Sequence, residues 1–397
     1  MWQRAIIFPD PQTGWGWSQH TMLGLSHLVR VLVTLHRVDV GEVILPPGSE
    51  MLESWLLTVQ QRRSDIPDLL WAARDGWPHL MTNAPVLGVQ GGVLFTPSLL
   101  AWFRQMIGDA ALGKAVIATH DTLPIVVSWL PSEVGSVVSE PLHIADIVSH
   151  IHQPAWRVPH DVFCQFAHLV APPRGDRLLL ATVGKPTDRW HVTWVRGWTF
   201  PAIRWLASSS VTPNHITYAG FLVALVACWL IAHGAYWTGV GGALLLYVSW
   251  VMDCIDGTMA RLTYAESSFG QKLDTILGHL SNLAIFSALV WAVYGGESLR
   301  KAASAAFFLL GGILVAHWVS EREKALRLRH EPSVQGKLQR FLDKINHRDY
   351  AVVILALTVV RGLHVFLWLS LIGVQMYWLT LLVLLCRYRR RARDTVS

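Results

Sequence analysis

Residues 216–252 read ITYAGFLVALVACWLIAHGAYWTGVGGALLLYVSWVM, 37 consecutive positions without Asp, Glu, Lys or Arg. A helix needs about 20 apolar residues to cross the hydrocarbon core, so this stretch and its flank hold two spans. Further charge-free runs cover 275–296, 302–320, 350–360 and 362–386. They predict an all-α six-helix membrane bundle with spans near 216–234, 238–258, 270–293, 301–321, 350–367 and 369–387. Arg361 interrupts the last pair, and several breakpoints there are compatible with the sequence.

Composition agrees. The 397 residues are 52% hydrophobic and 15% charged, whereas soluble domains run near ~25% charged, which excludes an ordinary soluble enzyme. The net charge of +6 reads as membrane orientation and anionic lipid rather than nucleic acid, because many basic residues sit beside spans. Arg322, Lys324, Arg327, Arg329, Lys337, Arg340, Lys344 and Arg348 follow the fourth span, and Arg387, Arg389, Arg390, Arg391 and Arg393 follow the last. The positive-inside rule then places both segments, and with six spans both termini, in the cytoplasm of a plasma (inner) membrane protein. The N-terminus lacks the apolar core of a signal peptide, so export of this part is not expected. Cys164, Cys228, Cys254 and Cys386 are too scattered for a disulfide framework or a zinc site.

Residues 1–184 read as a separate α/β domain. Ala5–Phe8 and Glu42–Leu45 are strand candidates, Met22–Leu35 and Leu52–Gln61 have helical spacing, and Val86–Phe95 suits a buried strand pair or a strand and turn. Strands alternating with helices predict a mostly parallel sheet. Residues 185–215 form a connector in which Trp190, Trp194, Trp198 and Trp205 interleave with Arg189, Arg196 and Arg204. That pattern suits an amphipathic helix lying at the interface. The His residues 150, 152 and 160, the pair His120-Asp121 and the run 208–210 show no spacing that carries chemistry.

Carboxylates inside spans are costly and mark function. Asp253 and Asp256 share one helix face near the end of the second span, and Asp274 returns to a similar depth at the start of the third. Three acids at one level repel unless a cation neutralises them, and hard oxygen ligands favour Mg²⁺, Mn²⁺ or Ca²⁺. A boundary role, with the acids reaching water or pairing with Arg261 and Lys272, accounts less well for three of them on adjacent helices.

The string Asp253-Cys-Ile-Asp256-Gly257-Thr-Met-Ala260-Arg261, then eight residues, Gly270, three residues and Asp274, resembles the signature D-x2-D-G-x2-A-R-x8-G-x3-D-x3-D of the CDP-alcohol phosphotransferase family. The resemblance covers roughly residues 212–390. It implies Mg²⁺ or Mn²⁺ on Asp253, Asp256 and Asp274, and a CDP moiety against Gly257, Ala260, Arg261 and Gly270. A CDP-alcohol donor and an alcohol or lipid acceptor would react with release of CMP, and a homodimer is compatible. The last signature position is Gly278 rather than Asp. In the family that acid belongs to the metal site and serves as general base, which glycine cannot do. Two readings stand open: an active transferase with a substitute base, for which His279 is the neighbour, or a pseudoenzyme that binds nucleotide or lipid headgroup or scaffolds a partner. A transporter is disfavoured, since a pathway needs polar residues across the membrane.

The segment 5–45 resembles the start of the cytidylyltransferase fold fused to some members of that family, as in di-inositol-phosphate phosphate synthesis, and Lys185-Pro186-Thr-Asp188 resembles the fusion joint. Catalytic parts are absent. PDPQTGWGW (9–17) replaces the Gly-rich loop with its Arg, the first lysine is Lys114, and no acid stands in Val89–Val93. Nucleotidyl transfer needs positive charge and metal on the triphosphate, so the domain is expected to be a nucleotidyltransferase-like scaffold without that chemistry.

Overall fold

The computed structural model describes residues 2–10, 13–23, 25–72, 84–95, 97–107, 116–120, 123–129, 144, 148, 156–157, 164–166, 179–180, 183, 190–330 and 350–394. The motif candidates Lys114, Asp121, His150, His152, His160 and 185–189, and the basic residues of 331–349, lie outside them. Two units emerge: Met1–Gly184 with Ala207–Ser209 and Leu262–Tyr264, and Lys185–Leu206 with Ser210–Arg261 and Ala265–Ser397.

The first unit runs β1 Arg4–Phe8, β2 Thr21–Met22, β3 Leu25–Ser26, α1 His27–His36, β4 Glu42–Leu45, α2 Glu53–Arg62, β5 Asp68–Trp71, β6 Val86–Gln90, β7 Val93–Phe95, α3 Pro97–Ile107, β8 Val116–His120, β9 Leu123–Trp129, β10 Trp156–Arg157 and β11 Cys164–Phe166. Ala5, Ile6, Ile7 and Phe8 are all buried, the continuous pattern of a strand covered on both faces. β1 accordingly sits inside a seven-stranded sheet of order β10-β8-β9-β6-β1-β4-β5. Pairings β1–β4, β1–β6, β4–β5 and β10–β8 are parallel, and β9 runs antiparallel to both neighbours. Leu28, Leu32 and Leu35 of α1 are fully buried, each contributing about 1.5–3 kcal/mol by leaving water. Trp2 stacks on Phe103 and donates its indole N–H to Ser128 Oγ at 2.7 Å, so the largest core aromatic keeps its polar atom satisfied.

One local expectation needs correction, and one gains detail. The helix predicted from Met22 begins at His27, because Thr21–Met22 and Leu25–Ser26 pair as a short antiparallel ladder. The apolar run Val86–Phe95 divides between sheets: β6 joins the large one, while β7 pairs with β11.

In the second unit α4 Trp190–Trp198 and α5 Phe200–Ala207 precede α6 Pro213–Ala232, α7 Tyr236–Leu262, α8 Ser268–Tyr294, α9 Leu299–His330, α10 Tyr350–Val359 and α11 Leu363–Asp394. Pro213 occupies the first turn of α6, where its missing N–H costs nothing, and Thr212 N–H donates to His215 Nδ1 at 3.3 Å. Ser267 Oγ caps α8 by accepting Gly270 N–H at 2.9 Å. α6 and α7 approach closely through small residues: a Cβ on Gly242 would meet Ala227 O at 2.8 Å, and Ser249 Oγ donates to Gly220 O at 2.8 Å.

Five helices are long and apolar enough to cross a membrane, Pro213–Ala232, Tyr236–Leu262, Ser268–Tyr294, Leu299–Arg322 and Leu363–Val383. The chain is an integral membrane protein. The six expected spans are corrected in their last pair. α10 has only 10 described residues and stops at Val359, and Arg361 takes a positive φ of 59° before α11 begins at Leu363. The break therefore falls at Val360–Gly362, and not near residue 368. It is fixed by Tyr236, whose hydroxyl donates to Val359 O at 3.0 Å and whose ring lies under the Arg361 guanidinium, 4.7 Å away.

Within the connector, α4 and α5 leave Trp194, Trp198 and Trp205 exposed and bury Val195 and Ile203. Arg196, however, is not on the outer face. It is buried, and its Nε donates to Thr258 Oγ1 of α7 at 3.2 Å.

Candidate active site

Asp253 and Asp256 stand on α7 one turn apart, and Asp274 stands six residues past the start of α8. All three line one cavity, together with Thr217 and Gly220 of α6, Ser249 and Trp250 of α7, Gly278, Ser281 and Asn282 of α8 and Tyr350 of α10. Four helices thus converge on the carboxylates. Asp256 is buried, and it is oriented by Thr217, whose Oγ1 donates to Asp256 Oδ2 at 2.6 Å. Charge-assisted bonds of this kind are short and strong. Thr217 was not singled out from the sequence; its place one turn after Pro213 could have suggested it.

Gly278 is buried on the cavity wall, so the position of the missing fourth acid faces the other three and offers them no side chain. His279, the neighbour considered as substitute base, is not on that wall. Its ring packs against His317 of α9 with centroids 4.1 Å apart. One residue on a helix turns about 100°, which accounts for the separation.

Gly257, Ala260, Arg261 and Gly270 also lie outside the cavity lining. Arg261 Nη1 sits 3.5 Å from where a Gly257 Cβ would be, ordinary contact that leaves the glycine face accessible to a side chain. Gly270 has a packing reason of its own: a Cβ there would meet Asn214 Oδ1 at 2.9 Å and Ser267 Oγ at 3.1 Å. The donor set fits a hard divalent cation, since the acids that share the cavity offer carboxylate oxygen alone. Among the described residues, though, no group of three or more His, Cys, Asp or Glu side chains is gathered closely enough to hold an ion. The carboxylates share a wall without being drawn together.

In the α/β unit, the crevice outside the carboxyl ends of β1 and β6 is where open sheets of this kind bind ligands. Here it is filled. Trp15 and Trp17 are buried and stacked 6.0 Å apart, and Trp17 meets His27 edge-on at 5.0 Å. A Cβ on Gly91 would lie 2.2 Å from Phe8 O and 2.6 Å from the Trp17 ring, so only glycine lets the indole in. Burial drives the His27 pKa down from 6.5 to about 4, against the opposing bond of its Nε2 N–H to Val93 O at 2.9 Å. His27 is therefore neutral. An acid does stand in this crevice, one that reading 89–93 alone missed: Asp10 is buried, accepts Thr13 N–H at 2.9 Å, and lies beside Gly92.

Residues 210–373 match the family described as CDP-alcohol phosphatidyltransferase. Among curated proteins the chain is 35% identical over 80 residues to the archaetidylinositol phosphate synthase of Pyrococcus horikoshii, covering 20% of this chain and 41% of that one. It is 30% identical over 128 residues to the phosphatidylinositol phosphate synthase of Corynebacterium glutamicum, covering 32% and 57%. It is 27% identical over 143 residues to the bifunctional IPC transferase and DIPP synthase of Aquifex aeolicus, covering 36% and 32%. The matches thus span between about a third and three fifths of these relatives' lengths.

Proposed function

We propose, from the match of residues 210–373 to the CDP-alcohol phosphatidyltransferase family, that the protein transfers a phospho-alcohol group from a membrane-borne CDP-alcohol to an acceptor hydroxyl, releasing CMP. The observation that carries this reading is the convergence of Asp253, Asp256 and Asp274 on one cavity between apolar helices. The names of the relatives make a phosphorylated polyol such as inositol phosphate the first acceptor to try.

The acceptor hydroxyl oxygen forms a bond to the β-phosphorus while the bond from that phosphorus to the CMP oxygen breaks, and the hydroxyl proton passes to water or to a carboxylate of the cavity. Asp253, Asp256 and Asp274 would hold Mg²⁺ or Mn²⁺, which when bound neutralises pyrophosphate charge. Thr217 fixes the direction of the Asp256 carboxylate, so that an acid on the cavity lining has little freedom left to lose. The apolar walls contributed by Ile216, Phe221, Ala224, Leu246 and Ile285 exclude water that would otherwise compete as acceptor. The cytoplasmic face is the natural side for this chemistry, since the positive-inside rule assigns the C-terminal ends of α7, α9 and α11 to that side. The α/β unit reads as a nucleotidyltransferase-like scaffold whose ligand crevice is packed with indole.

A second reading has its own observation. Gly278 leaves the wall without a fourth carboxylate, so the site binds a CDP-alcohol and turns it over slowly or not at all. A CMP-release assay on the purified protein, with Mg²⁺ or Mn²⁺ and a panel of CDP-alcohols, separates the two. Turnover that vanishes in Asp274→Ala supports the transferase. Binding without turnover on any donor, with CMP release appearing in Gly278→Asp, supports the pseudoenzyme.

A further inference from the structure

Asn282 stands at the middle of α8 (Ser268–Tyr294), eight residues beyond Asp274 and four beyond Gly278. At 1.5 Å per residue it is about 12 Å further along the helix axis than Asp274, toward the centre of the span. Tyr350, the first described residue of α10, meets it there: the phenol donates to Asn282 Oδ1. Both side chains line the cavity that holds the three carboxylates.

Polar residues at mid-span are expensive and mark either function or helix-to-helix adhesion. Adhesion alone leaves a remainder here. With Oδ1 committed to the phenol, the two N–H donors of Asn282 Nδ2 have no protein acceptor among the described residues. The phenol is itself held in place, with its ring 5.7 Å from that of Phe286 and Phe286 stacked on Phe366 at 6.4 Å. The amide thus lines the cavity with both N–H donors of its Nδ2 still to offer, beside the apolar side chains of Ile285 and Ala351. Such a group selects a ligand atom that only accepts hydrogen bonds, and it discriminates against an analogue that lacks one.

We propose that the Asn282–Tyr350 pair is a subsite for an ester carbonyl of the lipid-linked donor. A phosphate held at the carboxylate level has its glycerol esters deeper in the bilayer, on the side where the pair stands. The pair then gives the cavity a preference for ester-linked over ether-linked CDP-lipids. This subsite rests on the transferase-type reading of the cavity above.

The test is equilibrium competition binding to the full-length protein in nanodiscs with Mg²⁺, using CDP-diacylglycerol, its dialkyl ether analogue and CDP alone. The wild type is expected to favour the ester over the ether by roughly three- to tenfold, the worth of one net hydrogen bond. Asn282→Leu and Tyr350→Phe should both bring that ratio close to one while CDP alone binds within about twofold of wild type. Should Asn282→Leu fail to fold, Tyr350→Phe decides. A wild-type ratio near one, or a ratio unchanged in Tyr350→Phe, overturns the subsite. A wild type that binds no CDP compound overturns the functional reading itself.

Discussion

At the carboxyl ends of β1 and β6 a crevice that the sheet topology makes available is closed by Trp17 over Gly91. Between α6, α7, α8 and α10 a cavity stays open, with carboxylates on its wall where apolar packing would be cheaper. In the α/β unit aromatic packing fills the crevice; in the membrane bundle packing is interrupted and a cavity remains. Glycine serves both ends oppositely. Gly91 admits an indole, whereas Gly278 withholds a side chain the other three acids would otherwise meet.

The comparison breaks most sharply at the carboxylates. Asp256→Asn should lower CMP release by about a thousandfold or more if the cavity is chemical, read in a steady-state assay on protein whose size-exclusion profile matches wild type. An effect below tenfold would make the open cavity as inert as the closed crevice. Next comes the crevice: Trp17→Ala removes a buried indole and should destabilise the α/β unit by about 3–5 kcal/mol, seen as faster amide exchange across β1 and β6. Nucleotide binding gained by this variant would mean that the indole blocks a working site.

Protonation gives a smaller effect. His27 is neutral when folded, with its pKa lowered from 6.5 to about 4, so between these values the unfolded chain binds more protons. Its contribution is complete above pH 6.5 and is lost as pH falls toward 4, on the order of 3 kcal/mol in all. Exchange protection of α1, corrected for intrinsic rates, should decline over that window in wild type and stay flatter in His27→Phe. Smallest is Thr217→Val, which frees the Asp256 carboxylate to rotate. A loss of about tenfold in kcat/KM is expected, and none would show that the acid needs no orientation.

Much of this contrast was legible in the sequence. Charge-free runs located α6, α7, α8 and the apolar part of α9 (Leu299–Arg322) within a few residues, because the bilayer imposes length and apolarity on each helix separately; the eight residues by which α9 runs on past Arg322 had no such signal. The acids stood out for the same reason, as costly exceptions. What stayed hidden depends on partners distant in sequence. Nothing near Arg361 announces that Tyr236 will hold the break there. Asn282 and Tyr350 are 68 positions apart, and neither residue type is unusual by itself. In the α/β unit, Met22 and Leu25 fit a helical stripe, yet they enter a short ladder that only the fold around them favours.

The length of α7 has a kinetic consequence. Its 27 residues extend about 40 Å, beyond the roughly 30 Å of hydrocarbon, and Asp253 stands two thirds of the way along it with Asp256 one turn further. If the cavity takes a membrane-borne CDP-alcohol as proposed, carboxylates near the end of so long a span stand at the level of the lipid phosphates, and the donor reaches them by lateral diffusion without leaving its leaflet. Turnover should then follow the mole fraction of donor in the surface, and diluting the bilayer with inert lipid should slow the protein even when the bulk donor concentration is unchanged.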